Sequence, residues 1–441
     1  MDVVRFTSAY AQFIKDQNNE KIKIVVGRDA RISGDMVNRL VNNALIGVGV
    51  NVVDLGLSTT PTVEMAVTSM HAHGGIIITA SHNPREWNAL KLLNKEGEFL
   101  SSEEGKQVLA IAENSEIEYA DVDNLGRYAS YERFVQDHIE KIIALPLVDQ
   151  EAIKNAGFRV VIDCVNSTGG LALPALLKAL GVETVDKLNC DPTGEFAHNP
   201  EPVPGHLTEI SKRVVTKKAD VGFAVDPDVD RLAIICENGA FFGEEYTLVA
   251  VADYVLQNKK GNTVSNLSSS QALRDISHDA GVEYYSSAVG EVNVVEKMKE
   301  VDAIIGGEGN GGVIYPELHY GRDALVGIAL FLSYLARSDK TVSGLRAQYP
   351  SYSIQKDKIK LTDDLDVDGI LHKLEQKYPQ QPKTTIDGLK IEFDKEWVHM
   401  RKSNTEPIIR IYAESDSAEK ASDLAQRFVK EIEVIARGMK A

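Results

Sequence analysis

A serine just beyond the end of an apolar run is the first candidate for chemistry in this sequence. Ser81 follows the run 75–78 and begins a polar turn that ends at Pro84. A hydroxyl fixed at the end of a buried strand is a candidate nucleophile or phosphate carrier, although the same residue types also form ordinary turns. Lys91 could return to this place as a proton carrier or charge partner. His82 is a further candidate, expected to act as a hydrogen-bond donor more than as a base.

Three aspartates follow a second apolar run. Asp226, Asp228 and Asp230 stand at alternate positions after the run 221–225. Three negative charges this close repel one another unless a cation lies among them, and Mg²⁺ prefers such oxygen ligands. A calcium EF-hand is excluded, because the chain continues into another apolar strand without the loop glycine or the distal glutamate. The alternative is a solvated acidic turn. Beside a metal, Arg231 could hold a phosphate oxygen.

Two further loops carry polar groups that suit a phosphorylated sugar. Glu308 and Asn310 lie in the glycine-rich segment 306–312, where a ligand can approach the backbone and where a carboxylate and an amide suit sugar hydroxyls. The segment 401–407, with the following Arg410, combines cations, hydroxyls and turn amides into a candidate phosphate cradle. The alternatives are a plain glycine-rich turn and a basic hairpin turn.

The composition is that of a soluble globular protein of the size of an enzyme. Its 441 residues exceed what one core holds and predict three or four domains. The 65 acidic and 48 basic residues give a formal charge of −17, which argues against a binder of nucleic acid or membrane surfaces. Three cysteines without paired spacing and no apolar targeting segment predict a cytoplasmic protein.

The elements that must position these loops repeat along the chain. Up to about residue 345, apolar strands alternate with amphipathic helices, which is typical of largely parallel α/β sheets. A similar order of strands and helices, ending each time in a polar loop, occurs three times. The sequence therefore predicts three tandem similar α/β domains with mixed, mostly parallel sheets. The alternative is the chance similarity of any two α/β segments.

After about residue 353, strands joined by short turns predict a C-terminal α+β domain. Ligands gather at the carboxyl ends of parallel strands, so the four domains are expected to surround a central cleft. The expected limits are 1–142 for the serine domain, 143–244 for the metal domain, 245–352 for the sugar domain and 353–441 for the phosphate domain.

The four loops together resemble those of the α-D-phosphohexomutase family, which comprises phosphoglucomutases, phosphomannomutases and phosphoglucosamine mutases. The resemblance covers nearly the whole chain and rests on Thr-Ala-Ser-His-Asn-Pro, Asp-x-Asp-x-Asp-Arg, Gly-Glu-Gly-Asn-Gly-Gly and Arg-x-Ser-Asn-Thr-Glu-Pro, in this order. It implies an intramolecular phosphotransferase that interconverts hexose 6-phosphate and hexose 1-phosphate through a phosphoserine and a hexose 1,6-bisphosphate.

The resemblance also assigns a role to each loop. It implies that Ser81 is phosphorylated and that one Mg²⁺ per chain is held by this serine and the three aspartates. Lys91 falls on the family's lysine, and Glu308 and Asn310 would bind sugar hydroxyls. The implied ligands of the non-reacting phosphate are Arg401, Ser403, Asn404 and Thr405, with Arg410 beyond them.

Two departures accompany the resemblance. The family opens with a strand whose Gly-x-Arg-Gly type motif faces the phosphoserine, whereas this sequence begins inside a predicted helix from Val3 to Ile14. Either the start is truncated, or the strand and arginine are absent, which would leave an exposed sheet edge and weaker activity than in a longer form. The sugar loop also lacks the histidine that many bacterial members carry, for which Glu291 is a candidate substitute.

The form of the sugar loop favours phosphoglucosamine mutase, with phosphomannomutase or phosphoglucomutase as the alternative. A phosphosugar-binding protein without activity is an alternative from another class. A serine hydrolase is a third, but the Gly-x-Ser-x-Gly turn is missing. The expected partner is a small phosphosugar, with no nucleic acid and no membrane, and the protein is expected to be a monomer or a homodimer.

Overall fold

Two compact units make up the structure. The computed structural model describes residues 2–114, 117–360, 366–402 and 408–440. The first unit comprises the chain up to Lys260 together with Ile304–Arg346, and the second comprises Gly261–Ala303 and the chain from Ala347 onward. Within the described residues, no helix combines the length and the apolar character needed to cross a membrane.

The first α/β domain is built on a five-stranded sheet. Its strands are β1 (Lys23–Arg28), β2 (Asn51–Leu57), β3 (Gly74–Ile78), β4 (Leu90–Leu93) and β5 (Tyr128–Ser130). Its helices are α1 (Asp2–Asp16), α2 (Gly34–Gly47), α3 (Thr60–Ser69), α4 (Ser102–Asn114) and α5 (Phe134–Ile143). The strand order is β4-β3-β1-β2-β5. All neighbours are parallel except β3 and β4, which are antiparallel.

Alternate residues of β1 and β3 bury their side chains on opposite faces of this sheet. Ile24 and Ile76 pack with residues of α1, α2 and α4, whereas Val25 and Ile77 pack with residues of α3. Strands covered on both faces need nearly continuous apolar sequence, which is why β3 reads Gly-Gly-Ile-Ile-Ile. The polar loop after β3 must therefore emerge at the carboxyl end of a fully buried strand.

The second α/β domain repeats this arrangement with four strands. The strands are β6 (Arg159–Asp163), β7 (Thr184–Leu188), β8 (Val221–Val225) and β9 (Leu232–Cys236), and the helices are α6 (Gln150–Ala156), α7 (Gly169–Ala179) and α8 (Thr208–Lys217). The order is β7-β6-β8-β9. β6 is parallel to β7 and β8, and β9 turns back antiparallel to β8.

The third α/β domain contributes segments to both units. Its strands are β10 (Asn262–Asn266), β11 (Tyr284–Ser287), β12 (Ala303–Glu308) and β13 (Gly312–Ile314), and its helices are α9 (Glu244–Asn258), α10 (Ala272–Asp279), α11 (Glu291–Glu300), α12 (Ala324–Arg337) and α13 (Val342–Arg346). In the second unit β10 and β11 are parallel, and in the first unit β12 and β13 form an antiparallel hairpin.

The C-terminal domain is an antiparallel sheet with helices. Its strands are β14 (Ser353–Lys360), β15 (Lys383–Thr384), β16 (Leu389–Phe393), β17 (Glu396–Lys402) and β18 (Ile408–Ser415), and its helices are α14 (Val367–Lys377) and α15 (Ala418–Lys440). The order is β14-β18-β17-β16-β15, with every neighbouring pair antiparallel. The predicted fold class of three tandem α/β domains and a C-terminal α+β domain is confirmed, while the domain limits stay a prediction.

A buried histidine ties the first domain to the start of α12 within the first unit. His138 on α5 is fully buried, with Nδ1 3.0 Å from Thr62 Oγ1 and Nε2 2.9 Å from Asp323 Oδ2. Asp323 is the N-cap of α12 and accepts hydrogen bonds from the amides of Leu325 and Val326. The histidine therefore holds the carboxylate that begins this helix.

We expect His138→Leu to destabilise the first unit by about 2–4 kcal/mol, because the buried carboxylate of Asp323 loses a hydrogen-bond partner. His138→Gln is expected to cost less, since an amide can still donate one hydrogen bond. Calorimetric unfolding of the three proteins under the same conditions measures the difference. A leucine variant that unfolds at the temperature of the unchanged protein would contradict the prediction.

Candidate functional site

The Ser81 loop leaves the carboxyl end of β3 in a strained conformation. Ser81 has φ 48°, which lies in the left-handed region that residues with a side chain seldom adopt. Its amide donates a hydrogen bond to Thr79 Oγ1 at 2.9 Å, and Thr79 Oγ1 donates to Asp29 Oδ2 at 2.7 Å. Strain of this kind persists only where neighbouring contacts enforce it, and it is common at functional sites.

A buried arginine that the sequence analysis missed enforces this loop. Arg31 pairs with Asp29 at 3.0 Å and is 1% exposed. Its two terminal nitrogens donate to four main-chain carbonyls around the turn, those of Ser81 (2.5 Å), Asn83 (2.8 Å), Pro84 (2.7 Å) and Trp87 (2.9 Å). These contacts join residues about 50 positions apart in the sequence, so no local sequence pattern could predict them.

The aspartate loop joins the antiparallel strands β8 and β9 and is fully buried. Asp226, Asp228 and Asp230 are each 0% exposed. Asp226 Oδ1 accepts the amides of Asp230 and Arg231, both at 3.2 Å, which closes the loop around the first aspartate. Val229 has φ 65°, an unusual value for a β-branched residue. The predicted alternative of a solvated acidic turn is therefore wrong.

The serine loop and the aspartate loop meet in the first unit. Ser81 Oγ donates to Asp226 Oδ2 at 3.0 Å. Lys91 Nζ lies 2.7 Å from Asp228 Oδ2 and 3.5 Å from Asp230 Oδ2. Lys91 reaches them because β4 pairs antiparallel with β3, which places Lys91 opposite Ile77 near the end of that strand.

Threonine 60, at the start of α3, was not anticipated either. Thr60 Oγ1 donates to Asp228 Oδ2 at 2.6 Å, and its amide donates to the Asp228 carbonyl at 2.8 Å. On another side, the amide of Ala324 donates to the Val229 carbonyl at 3.2 Å. Main-chain hydrogen bonds from the first and third domains thus fix the aspartate loop of the second.

The donor set of this loop fits a divalent cation. Asp228 Oδ1 and Asp230 Oδ1 are buried and accept no hydrogen bond within the part of the chain that the structure describes. The ligand atoms of the three carboxylates lie within 4.8 Å of one another. Burial, followed by the charges of Asp230 and Asp228, raises the pKa of Asp226 well above its usual range. Unsatisfied oxygens and mutual repulsion are both relieved by a hard cation such as Mg²⁺.

The basic residues around the aspartates differ in protonation. Burial alone would lower the pKa of Lys91, but Asp228 and Asp230 raise it above its ordinary value, so this lysine is a charged partner. Burial, and next Arg231, lowers the pKa of His82 to about 4, which leaves the ring neutral at neutral pH. His82 Nδ1 lies 3.3 Å from Ser81 Oγ. Arg231 Nε is buried without a hydrogen-bond partner among the described residues, so it is available to donate to an anion.

The predicted sugar loop lies in the same unit, at the turn of the β12–β13 hairpin. Glu308 ends β12 and pairs with Gly312, and Asn310 Nδ2 is 3.4 Å from Glu308 Oε2. Arg322, which the sequence analysis did not select, donates to Glu308 Oε2 and to Asp230 Oδ2, both at 2.7 Å. Burial alone would raise the pKa of Asp230, but Arg322, and next Lys91, lowers it below its ordinary value.

The predicted phosphate residues belong to the second unit. Arg401 on β17 and Arg410 on β18 are register partners, so two cations stand side by side on neighbouring strands. Arg401 Nη1 lies 3.6 Å from Asp387 Oδ2, and its Nε is buried without a hydrogen-bond partner in the described chain. Glu291 begins α11 and is buried. Ser403, Asn404 and Thr405 lie outside the described residues.

The strand that carries Arg401 also carries a buried histidine. His399 Nδ1 lies 2.9 Å from Ser268 Oγ, and Nε2 lies 2.6 Å from the Asp387 carbonyl, which requires Nε2 to donate. Burial is the main cause that lowers the pKa of His399 to about 4, and Lys390 also lowers it. The folded second unit therefore keeps this ring neutral where an exposed histidine would gain a proton.

We expect the second unit to lose stability as the pH falls from about 6.5, the pKa of an exposed histidine, to about 4. The unfolded chain binds a proton in this window and the folded chain does not, so the loss approaches roughly 3 kcal/mol at its lower end. Urea unfolding at several pH values measures the slope. His399→Asn is expected to make the slope shallower, and an unchanged slope would contradict the assignment.

Four family descriptions match the chain in order. They are phosphoglucomutase/phosphomannomutase alpha/beta/alpha domain I over residues 2–118, domain II over 136–239, domain III over 243–352 and the C-terminal domain over 356–431. The matches include every loop described above.

Individual proteins are similar over almost the full length. Phosphoglucomutase/phosphomannomutase of Thermococcus kodakarensis is 37% identical over 433 residues, covering 98% of this chain and 94% of the relative. Phosphoglucosamine/phosphogalactosamine mutase of Sulfurisphaera tokodaii is 33% identical over 424 residues, covering 94% and 91%. The crystal structure of a phosphoglucomutase/phosphomannomutase family protein from Burkholderia thailandensis has a TM-score of 0.85 at 25% identity, covering 98% and 93%.

Proposed function

Because the chain belongs to the α-D-phosphohexomutase family and is thus a phosphohexomutase, an isomerase, we propose that Ser81 is its phosphate carrier. The observation that carries this proposal is the 3.0 Å approach of Ser81 Oγ to Asp226 within a fully buried aspartate loop. A phosphoryl group on this oxygen would lie beside the candidate cation site and near Lys91. Phosphoryl transfer depends mainly on such positioning and charge neutralisation.

Mg²⁺ is the cofactor that suits these oxygen donors. Asp226, Asp228 and Asp230 would hold it together with a phosphoryl oxygen on Ser81, because Mg²⁺ is commonly bound by a few carboxylates and a phosphate. When bound, it neutralises charge on the phosphoryl group during transfer. Arg231 would donate to another phosphoryl oxygen.

The proposed reaction exchanges one oxygen–phosphorus bond for another. The free hydroxyl oxygen of a hexose phosphate bonds to the phosphorus on Ser81 while the bond from Ser81 Oγ to phosphorus breaks, which gives a hexose 1,6-bisphosphate. The sugar hydroxyl loses its proton and Ser81 Oγ gains one. Neutral His82, whose Nδ1 lies 3.3 Å from Ser81 Oγ, is the candidate carrier of this proton, and charged Lys91 is the electrostatic partner. The bisphosphate then reorients so that its other phosphate faces Ser81. That phosphate returns to Ser81, so the net reaction interconverts the 1- and 6-phosphates.

The remaining predicted residues would bind the sugar and its second phosphate. Glu308 and Asn310 suit hydroxyl groups, since a carboxylate accepts and an amide both donates and accepts. Arg401 and Arg410 suit the non-reacting phosphate, because a guanidinium can donate two parallel hydrogen bonds to it. The proposal includes Ser403, Asn404 and Thr405 as further donors to the same phosphate.

We propose glucosamine phosphate as the preferred substrate. The glycine-rich form of the sugar loop supports this choice, and the Sulfurisphaera tokodaii relative is named for amino-sugar phosphates. Phosphomannomutase or phosphoglucomutase activity is the second candidate, which the name of the Thermococcus kodakarensis relative favours.

The test has two parts. Rates on glucosamine 1-phosphate, mannose 1-phosphate and glucose 1-phosphate, measured side by side, rank the substrates, and faster turnover of a neutral sugar would overturn the amino-sugar proposal. Intact mass spectrometry before and after incubation with sugar phosphate tests the carrier. A phosphoryl group that maps to Ser81 and leaves on incubation supports it, and a phosphoryl group on another residue overturns it.

A further inference from the structure

A single buried arginine joins the two carboxylate loops of the site. Arg322 is 8% exposed. Nη2 donates to Asp230 Oδ2 and Nη1 donates to Glu308 Oε2, each at 2.7 Å. These two carboxylates belong to the candidate cation site and to the candidate sugar loop, so one rigid guanidinium sets the distance between them.

The sugar hairpin is shaped to admit this side chain. A Cβ atom added at Gly312 would overlap Arg322 Cδ and would lie 3.0 Å from Arg322 Cγ. Gly312 faces Glu308 in the hairpin register, so the arginine passes directly over the strand pair on its way to the carboxylate. The Arg322 side chain can therefore take this position only because residue 312 is a glycine.

The backbone of Arg322 is held on both sides. Arg322 bridges to Ile314 at the end of β13, and the amide of the next residue, Asp323, donates to the Val313 carbonyl at 2.8 Å. Asp323 is itself fixed as the N-cap of α12 by His138. The guanidinium therefore projects from an anchored main chain, as expected of a group that orients others.

The two carboxylate oxygens of Asp230 have different surroundings. Oδ2 is taken by Arg322 at 2.7 Å and approached by Lys91 at 3.5 Å, whereas Oδ1 is buried and accepts no hydrogen bond within the described residues. Partners that fix one carboxylate oxygen orient the other toward a metal, and their loss typically weakens metal binding.

Resting on the proposed function, we propose that Arg322 is a positioning residue that orients Asp230 toward the cation and Glu308 toward the sugar, and so couples the two sites. It touches neither the phosphoryl group nor the reacting oxygen in this role. If Arg322 only neutralised the buried acidic cluster, any cationic side chain at position 322 would suffice. A lysine has one point charge and cannot span both carboxylates with a planar fork.

The experiment compares Arg322→Lys with the unchanged protein. Calorimetric titration of the metal-stripped proteins with Mn²⁺ alone is expected to show a dissociation constant raised about 10- to 100-fold in the variant. The KM for the hexose phosphate is expected to rise as well, because Glu308 loses its orientation. Equal Mn²⁺ affinity and equal KM in both proteins would overturn the inference and indicate a role for charge alone.

A second variant removes the dependence on the arginine substitution. Gly312→Ala leaves Arg322 in the chain but displaces its side chain, so weaker Mn²⁺ binding is expected again. Only Mn²⁺ affinity is compared in this variant, because the added Cβ would also lie 3.1 Å from Asn310 Oδ1 in the sugar loop. Gly105→Ala on α4, where an added Cβ meets nothing within 4 Å, is the matched glycine control. Arg337→Lys, at the far end of α12 and paired with Asp149, is the matched arginine control. Both controls are expected to bind Mn²⁺ as the unchanged protein does.

The two proposals fail in different ways. Turnover of sugar phosphates by the unchanged protein tests the mutase mechanism and does not involve the variants. The ratio of Mn²⁺ dissociation constants between Arg322→Lys and the unchanged protein tests the role of Arg322 and requires no turnover. An unchanged protein that binds no Mn²⁺ would overturn the coupling inference even if it transfers phosphate.

Discussion

Replacement of Ser81 by alanine is expected to reduce mutase turnover by about 10⁴-fold or more, because the variant lacks the oxygen that we propose carries the phosphoryl group between the two sugar positions. The backbone of Ser81 is in the left-handed region, and its hydroxyl donates to Asp226 Oδ2 at 3.0 Å. The backbone turn is held by Arg31, which contacts main-chain carbonyls and not the hydroxyl, so the alanine variant should keep its fold.

Coupled assays of sugar 1-phosphate conversion and intact mass spectrometry measure this result together. The variant should have the mass of the unphosphorylated chain both before and after incubation with a hexose bisphosphate. Ser102→Ala, at the exposed start of α4, is the matched control and should keep both turnover and phosphorylation. Turnover retained in Ser81→Ala would rule out a phosphoserine at this position.

Replacement of Asp226 by asparagine is expected to have opposite effects on activity and on stability. Turnover should fall by about 10³-fold, since a weakened cation site no longer neutralises the transferred group. The metal-free protein should become more stable by on the order of 1 kcal/mol, because one of three buried and mutually repelling carboxylates is removed. The asparagine oxygen can still accept the amides of Asp230 and Arg231, so the loop keeps its shape.

Coupled assays of sugar 1-phosphate conversion, together with Mn²⁺ titration, test the expected loss of activity. Thermal unfolding of the metal-stripped proteins tests the expected gain in stability. Asp35→Asn, on the exposed surface of α2, is the matched control and should change neither. A metal-free Asp226→Asn protein that is less stable than the unchanged one would show that the carboxylate is favourable without a cation. That result would contradict the repulsion on which the candidate cation site rests.

The loops themselves could be identified from the sequence because their chemistry is local. A run of apolar residues predicts a buried strand, and polar or glycine-rich residues directly after it predict a loop at the strand's carboxyl end. Ser81, the three aspartates and Glu308 all follow such runs. The repeat of this order three times, followed by antiparallel strands, also predicted the fold class.

The sequence could not predict where the side chains of Lys91 and Arg231 lie in the fold, and the reason is physical. Most lysines and arginines lie on the surface, and their type does not say where a strand will turn them. The antiparallel register of β4 against β3 brings Lys91 to the aspartates. The β8–β9 turn brings Arg231 beside Asp226, whose Oδ1 accepts its amide.

The sequence alone predicted which side chains carry phosphate, bind a cation and contact a sugar, because each of these predictions rests on a few adjacent residues. Only the tertiary structure decided which distant residues orient them. Arg31 holds the Ser81 turn from 50 positions away, and Arg322 reaches Asp230 from 92 positions away. Such pairs depend on strand register and on the space left by glycines such as Gly312, and no pattern within a single segment encodes either.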